Sequence, residues 1–327
     1  MKRSKHFYIS TRLNKIKKVK FILTIIIFTF YQSIKGQLKV AITIDDVPNK
    51  TFFINSTKSA ILHSLDSLNI PICIFINEGK THNNDSLAKN ELLNNWISKK
   101  YITLGNHSYS HFRYSDVTFE TFTNDILKGE VITKKTAKKY HKKLKYFRFP
   151  FNDLGKDSTQ QALISNFLIS NNYQITPFTI ESVDWMYNYV YEYYLSKNEI
   201  EKAKEIGESY VTKTLEYFNY IENITTSKYG KSISQIYMCH DNILNANYLP
   251  ILVKHLKQKK YSLIRLKTAL KDDVYKQQNY YTNKWGISWV YRWVKDKEER
   301  KLLIKNEPST EDIETLFQKI EDSQKLK

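Results

Sequence analysis

Residues 40–48 read Val40-Ala41-Ile42-Thr43-Ile44-Asp45-Asp46-Val47-Pro48. Four of the first five are β-branched, the composition of a strand covered on both faces, and two carboxylates stand where that run ends. A strand is therefore expected over Leu38–Ile44. Adjacent acids at the end of a buried strand repel each other and lose solvation unless a cation sits there. A metal ion is the natural partner; the alternative is that the two acids cap a following turn.

Outward from this stretch, short β-rich runs alternate with longer helical patterns. Strands are expected at Pro71–Ile76, Tyr101–Leu104, Tyr146–Phe149, Ile175–Ile180, Gln235–Met238 and Ser262–Leu266. Helices are expected at Ser86–Lys99, Phe119–Lys139, Glu192–Asn219 and Tyr248–Lys259. Such alternation builds βαβ units and a parallel sheet. Seven or so parallel strands predict an α/β fold, a distorted or incomplete (β/α) barrel rather than an open doubly wound sheet. No glycine-rich phosphate loop follows any strand, which excludes a dinucleotide-binding turn and a P-loop. Met186–Tyr229 reads as a Tyr-rich helical insertion. Beyond Asp272 the chain turns aromatic (Tyr280, Tyr281, Trp285, Trp289, Tyr291, Trp293) and then highly charged to Lys327. The aromatic part is expected to cover the barrel or bind substrate, and the charged end to be a solvated helix.

The chain has 327 residues and a formal net charge of +18, from 51 Lys plus Arg against 33 Asp plus Glu. Much of the excess lies in front: residues 1–36 hold nine basic residues and no acid, so the remainder carries 42 against 33, a net of +9. That front segment has the order of a secretory signal, a basic stretch to Lys20, the apolar run Phe21–Tyr31 and a polar stretch to Gly36. Eleven apolar residues are too few to span a bilayer, which needs roughly 20. A secreted or periplasmic protein is expected, with an uncleaved membrane anchor as the alternative. Without that segment the charge is an ordinary basic surface, and no nucleic-acid recognition module is present. Cys73 and Cys239, each within an apolar run, are expected to be buried free thiols.

Four further clusters fall at expected strand ends. The third strand is followed by Gly105-Asn106-His107-Ser108-Tyr109-Ser110-His111. Histidines four apart share one side of a helical turn, which lets two imidazoles bind one ion. The fourth strand runs into Arg148-Phe149-Pro150-Phe151, the fifth precedes Asp184-Trp185, and the sixth leads to Cys239-His240-Asp241-Asn242. In α/β barrels the carboxyl ends of the strands are where active sites collect. His6, His63, His82, His141 and His255 are assigned no role.

Taken as an ordered set, these clusters resemble the motifs of the polysaccharide deacetylases of the NodB homology type, over about Val40 to Leu266. Thr43-Ile44-Asp45-Asp46 is similar to the first motif, His107-Ser108-Tyr109-Ser110-His111 to the H-[ST]-x-x-H second, and Arg148-Phe149-Pro150 to the third. Asp184-Trp185 is similar to the fourth motif and His240 to the fifth. The resemblance implies that Asp46, His107 and His111 hold a divalent metal, usually Zn2+, with Co2+, Ni2+ and Mn2+ as substitutes. It implies that Asp45 is the general base toward metal-bound water, that Arg148 orients Asp45, that His240 protonates the departing amine and that Asp184 keeps His240 charged. Phe151, through its backbone N–H, and Trp185 are the implied substrate-binding residues. Two places depart from the pattern: Val47 stands where the first motif usually has Gly, and Phe151-Asn152 replaces the usual Tyr or Gly.

Chemistry supports the same roles. Amide hydrolysis needs a strong nucleophile, a Lewis acid on the carbonyl and a proton for a poor leaving group. Two His and one Asp with an open metal position supply the first two, and a histidine beside an acid supplies the third. The expected organisation is a signal peptide over 1–36, a catalytic domain over 37–270 and an aromatic, then charged, helical extension over 271–327. The extension from Ala269 to Trp293 resembles the tail of a subgroup of secreted bacterial members, which implies a cell-envelope setting. The expected partner is an acetylated glycan, with an O-acetyl glycan esterase or a non-catalytic glycan-binding protein as the alternatives. Trp285, Trp289 and the Tyr-rich insertion are expected to set specificity by stacking on sugar rings.

Overall fold

The computed structural model describes residues 37–49, 53–55, 58–81 and 86–325. The expected signal segment lies outside them. Nine strands are described: β1 Lys39–Val47, β2 Phe53–Asn55, β3 Lys58–Ser59, β4 Ile72–Ile76, β5 Ile102–Asn106, β6 Leu144–Phe147, β7 Gln174–Ile175, β8 Ser234–His240 and β9 Ser262–Leu263. The helices that matter here are α1 Ala60–Leu68, α2 Ser86–Ile97, α3 Phe119–Lys128, α4 Val131–Lys139, α5 Ser158–Ser170, α6 Asp184–Ser196, α7 Ile200–Tyr229, α8 Ile243–Gln258, α9 Lys297–Lys305 and α10 Glu311–Lys325. Among the described residues none is long and apolar enough to cross a membrane.

The main sheet has seven strands in the order β7-β6-β5-β4-β1-β8, with β9 beside the start of β1, and every pairing in it is parallel. β2 and β3 form a separate antiparallel pair. The sheet curls into a half-barrel, because one stretch of chain meets both of its ends: Gln174–Ile175 pairs with β6, and Ile180 bridges to Tyr237 of β8. The fifth strand thus regularises over two residues rather than the expected Ile175–Ile180, since its second half leaves β6 to reach β8.

β1 is central, with β4 on one edge and β8 on the other, which is why Val40, Ala41, Ile42 and Ile44 are all buried. α1 and α8 pack together against it through Leu62, Leu65, Leu249 and Leu252, and α7 contributes Phe218 and Ile221 to the same core. Cys73 on β4 and Cys239 on β8 are buried and free, as expected. The stretch 119–139 is two helices because Gly129 caps the first, its N–H donating to Asp125. The insertion is likewise two helices, turned at Asn198, which takes the left-handed conformation that Asn tolerates best after Gly.

The charged end corrects the expectation of a solvated helix. α10 buries Ile313 and Ile320, with Leu316 and Phe317 beside them, against Tyr187, Val190 and Tyr191 of α6. The spacing 313, 316, 317, 320 is one helical stripe, and the charged residues occupy the remaining faces.

Gly105 links the core to the site. A Cβ there would lie 2.4 Å from the ring of Phe75, which is fully buried and carries the Arg148 guanidinium 4.5 Å above its centre. Gly105→Ala is expected to cost about 1–3 kcal/mol as an overpacked core position. A lower urea midpoint at unchanged slope would record it, and an unchanged midpoint would mean that Phe75 yields freely.

Candidate active site

The carboxyl ends of β1, β5, β6 and β8 open into one cleft of about 610 Å³. Asp45, Asp46, His107, His111, Phe151, Trp185 and His240 line it. Arg148 lies beneath, fully buried, and Asp184 lies behind His240.

Neighbouring residues of a regular strand point to opposite faces, yet both acids of β1 reach this cleft. The reason is a bulge. β1 and β4 shift register between Ile44 and Val47, and Asp46 takes φ +66°. A bulge of this kind re-aims a side chain while the rest of the ladder persists; Asp45 still pairs with His240 across β1 and β8.

The two histidines converge by a different route from the expected helical turn. Residues 107–111 form a loop in which Ser108 and His111 are both left-handed, at φ +62° and +59°. Side chains hold that loop. Asn106 Oδ1 accepts the Ser108 N–H at 2.7 Å, and the Asp125 carboxylate accepts the N–H groups of Tyr109 and Ser110 at 2.9–3.1 Å. His107 Nδ1 donates to the Arg148 carbonyl at 2.8 Å, so its Nε2 presents a lone pair to the cleft.

Asp46 Oδ1 lies 3.7 Å from His107 Nε2 and 3.3 Å from His111 Nε2, and these three side chains offer ligand atoms within 4.8 Å of one another. That oxygen is buried and accepts no hydrogen bond. A buried acceptor with no donor, facing two imidazole nitrogens, is what a cation site looks like before its cation is counted, and the donor set fits a divalent metal. Burial works against ionisation of Asp46, but the positive charge beside it, Lys80 foremost, outweighs it and holds the carboxyl well below the usual range. Burial drives His107 down to about 3 and lowers His111 as well, so both rings are neutral and able to ligate.

Asp45 is buried, and Arg148 Nη1 lies 3.3 Å from its Oδ1. The same guanidinium donates to Thr43 Oγ1 at 2.9 Å and to the Pro177 carbonyl at 3.1 Å, which fixes it. Burial raises Asp45 to about 6, with Arg148 pulling the other way.

Asp184 opens α6 rather than ending a strand. It follows Val183, which sits at φ +48°. One of its oxygens takes His240 Nδ1 at 2.7 Å; the other accepts the His240 N–H, Asn242 Nδ2 and Asn245 Nδ2 at 2.9, 3.1 and 2.6 Å. Burial would lower His240, but the Asp184 charge and hydrogen bond prevail and carry it up to about 10. The imidazolium is therefore kept at neutral pH.

Further residues of the cleft had no role assigned from sequence. Lys80 Nζ is 2.9 Å from Asp46 Oδ2; its place just beyond β4, another strand end, was the available signal. Asp241 accepts the Asn49 N–H at 2.7 Å, and burial raises it to about 7. Glu181 and Arg113 also line the walls; of the two tryptophans expected from sequence to stack on sugar, Trp285 lines them too and Trp289 does not.

Residues 33–167 match the family model described as polysaccharide deacetylase. That span holds Asp45, Asp46, His107, His111, Arg148 and Phe151 and ends before Asp184 and His240. A peptidoglycan-N-acetylglucosamine deacetylase of Bacillus cereus is 25% identical over 150 residues, 46% of this chain and 47% of the relative. The chain thus spans about half the length of the curated relative it matches. Among solved structures, peptidoglycan deacetylase PdaC from Bacillus subtilis overlaps 72% of this chain and 93% of its own at 16% identity and a TM-score of 0.44. A CE4 family pseudoenzyme from Bacillus anthracis, BA3943, overlaps 72% of this chain and 66% of its own at 14% identity and a TM-score of 0.48.

Proposed function

With the polysaccharide deacetylase match over residues 33–167 as the premise, we propose that the protein is a metal-dependent hydrolase that removes acetyl groups from N-acetylated sugars of a poly- or oligosaccharide. One observation carries the reading: an acid paired with a buried arginine, a histidine paired with a buried acid, and an Asp-His-His cluster all face one cleft.

Asp46, His107 and His111 would hold the metal, and zinc suits two imidazoles and a carboxylate. When bound, it supplies Lewis acidity toward the acetyl carbonyl and makes a nearby water a better nucleophile. Asp45 takes the proton of that attacking water, and Arg148 keeps the carboxylate aimed. As the water oxygen bonds to the acetyl carbon and the C–N bond breaks, His240 delivers its Nε2 proton to the departing nitrogen. Acetate and a free amine result. Asp184 holds the opposite ring nitrogen, so that the proton to be delivered is always the one facing the cleft. Phe151 and Trp185 are exposed by 48% and 47% at the rim, flat apolar faces for the sugar. The apolar run Phe21–Tyr31 behind a basic stretch supports a secreted or periplasmic setting for this chemistry.

The test is acetate release from N-acetylglucosamine oligomers. Chelator is expected to reduce release to background, and stoichiometric zinc to restore it. Release that survives exhaustive chelation would overturn the metal-dependent reading, and no release with zinc bound in proportion to protein would overturn the N-deacetylase reading.

A further inference from the structure

One wall of the cleft is a stack that leads away from the metal ligands. The His111 ring meets the Phe151 ring edge-on at 4.7 Å, and the guanidinium carbon of Arg113 stands 4.3 Å from the Phe151 ring centre and 6.0 Å from that of Trp285. Phe151 reaches this place because its backbone is left-handed, at φ +56°.

Trp285 belongs to the C-terminal extension, and it is held there. Arg292, fully buried, donates to the carbonyls of Ile287, Tyr281 and Trp285 at 3.3, 3.3 and 3.0 Å and to that of Asn152 at 3.4 Å. Gly286 makes the close approach possible, since a Cβ there would lie 2.1 Å from the Phe151 carbonyl oxygen. The extension is thereby clamped to the turn that follows β6, and the Trp285 side chain, 59% exposed, faces the cleft.

Arg113 is only loosely paired. Its two ion pairs, Nε to Asp116 at 3.8 Å and Nη1 to Asp153 at 4.0 Å, are longer than hydrogen bonds. Asp153 is already engaged by the N–H and hydroxyl of Ser115 and by the N–H of Gly155. Among the described residues no hydrogen bond from the guanidinium is made. A guanidinium packed on the Phe151 ring at the cleft wall, making no hydrogen bond of its own, keeps N–H donors for recognition of a carboxylate. Lys284 Nζ, 5.3 Å from the Trp285 ring centre, adds charge of the same sign.

We propose that Arg113 and Trp285 form a second sugar subsite that selects N-acetylated glycans bearing a carboxylate on a residue next to the one deacetylated. Trp285 stacks on that neighbouring ring and Arg113 takes its carboxylate. The proposal rests on the deacetylase reading of the adjoining site.

The test compares hyaluronan tetrasaccharide, in which glucuronate neighbours each N-acetylglucosamine, with the neutral tetra-N-acetylchitotetraose, by kcat/KM for acetate release and by calorimetric Kd. The native protein is expected to favour the anionic probe. Arg113→Gln is expected to lower the anionic-to-neutral ratio by at least about tenfold, the worth of a charge-assisted hydrogen bond. Arg113→Lys keeps part of the preference, and Trp285→Ala raises KM for both probes. A ratio unmoved by Arg113→Gln, or no preference in the native protein, overturns the proposal. If neither probe loses acetate, the deacetylase reading fails, and the Kd ratio still decides the subsite.

Discussion

Acetate release by an Asp45→Asn variant is expected to fall by about 10²–10⁴-fold, the range for removing a general base, while zinc binding stays stoichiometric. The two parts of that result separate Asp45 from its neighbour. Asp46 is the acid aimed at the imidazoles, whereas Asp45 is turned to Arg148. The amide keeps an oxygen for the Arg148 Nη1 contact but has no lone pair basic enough to take a proton from water. Loss of zinc together with activity would mean that Asp45 is a ligand instead. Retention of activity would remove it from the reaction.

Asp184→Asn is expected to produce a comparable loss through a different observable, the pH profile. In the native protein burial alone would discharge His240, and Asp184 reverses this, raising the ring from 6.5 to about 10. The proton needed by the leaving amine is therefore present throughout the neutral range, and native activity should decline on the alkaline side only as pH approaches about 10. Without the Asp184 charge the pull of burial is opposed only by Asp46 and Asp45, so the alkaline limb moves down from about 10, with a neutral-pH rate lower by up to about 10²–10⁴-fold. Stability follows the same sign. A histidine whose folded value is raised contributes in full below its unfolded value of 6.5 and loses that contribution as pH rises through about 10. The variant also replaces one of the two carboxylate oxygens, both of which accept hydrogen bonds, by a donor, and breaking a buried pair costs about 3–5 kcal/mol. His240→Gln serves as the control, since its residual rate has no such limb to shift. An alkaline limb in Asp184→Asn that stays where the native one lies would reject the role.

The ordered motifs were legible because each falls at a place that local sequence marks. β-branched runs give β1 and β4 their strands and the apolar run Ile236-Tyr237-Met238 gives β8, and in an α/β fold the residues just after a buried strand stand at its carboxyl end. Position along the chain was thus enough to group Asp45, Asp46, His107, His111, Arg148 and His240. It was also enough to expect the helical insertion. Arg113 escaped notice because it is two residues past a loop histidine and marked by no pattern; its neighbours, Phe151 and Trp285, come from positions 38 and 172 residues further on. The stripe on α10 was hidden differently, since four apolar residues among many charges look solvated until a partner face, here α6, exists to cover them.

Residue type and order by themselves determined the parallel α/β sheet, the set of chemical groups at one end of it and the two buried thiols. The tertiary structure alone decided how those groups point. Asp46, Ser108, His111, Phe151, Asn152 and Val183 all adopt positive φ around the cleft, and none of them is glycine. Left-handed backbone costs such residues about 1–3 kcal/mol each, so no local preference announces it. It is held by distant partners: Asp125 on the loop of His111, the bulge of β1 against β4, and the Arg292 clamp on the carbonyl of Asn152. Local sequence sets which conformations are cheap, and only contacts between remote segments can hold the costly ones on which this site is built.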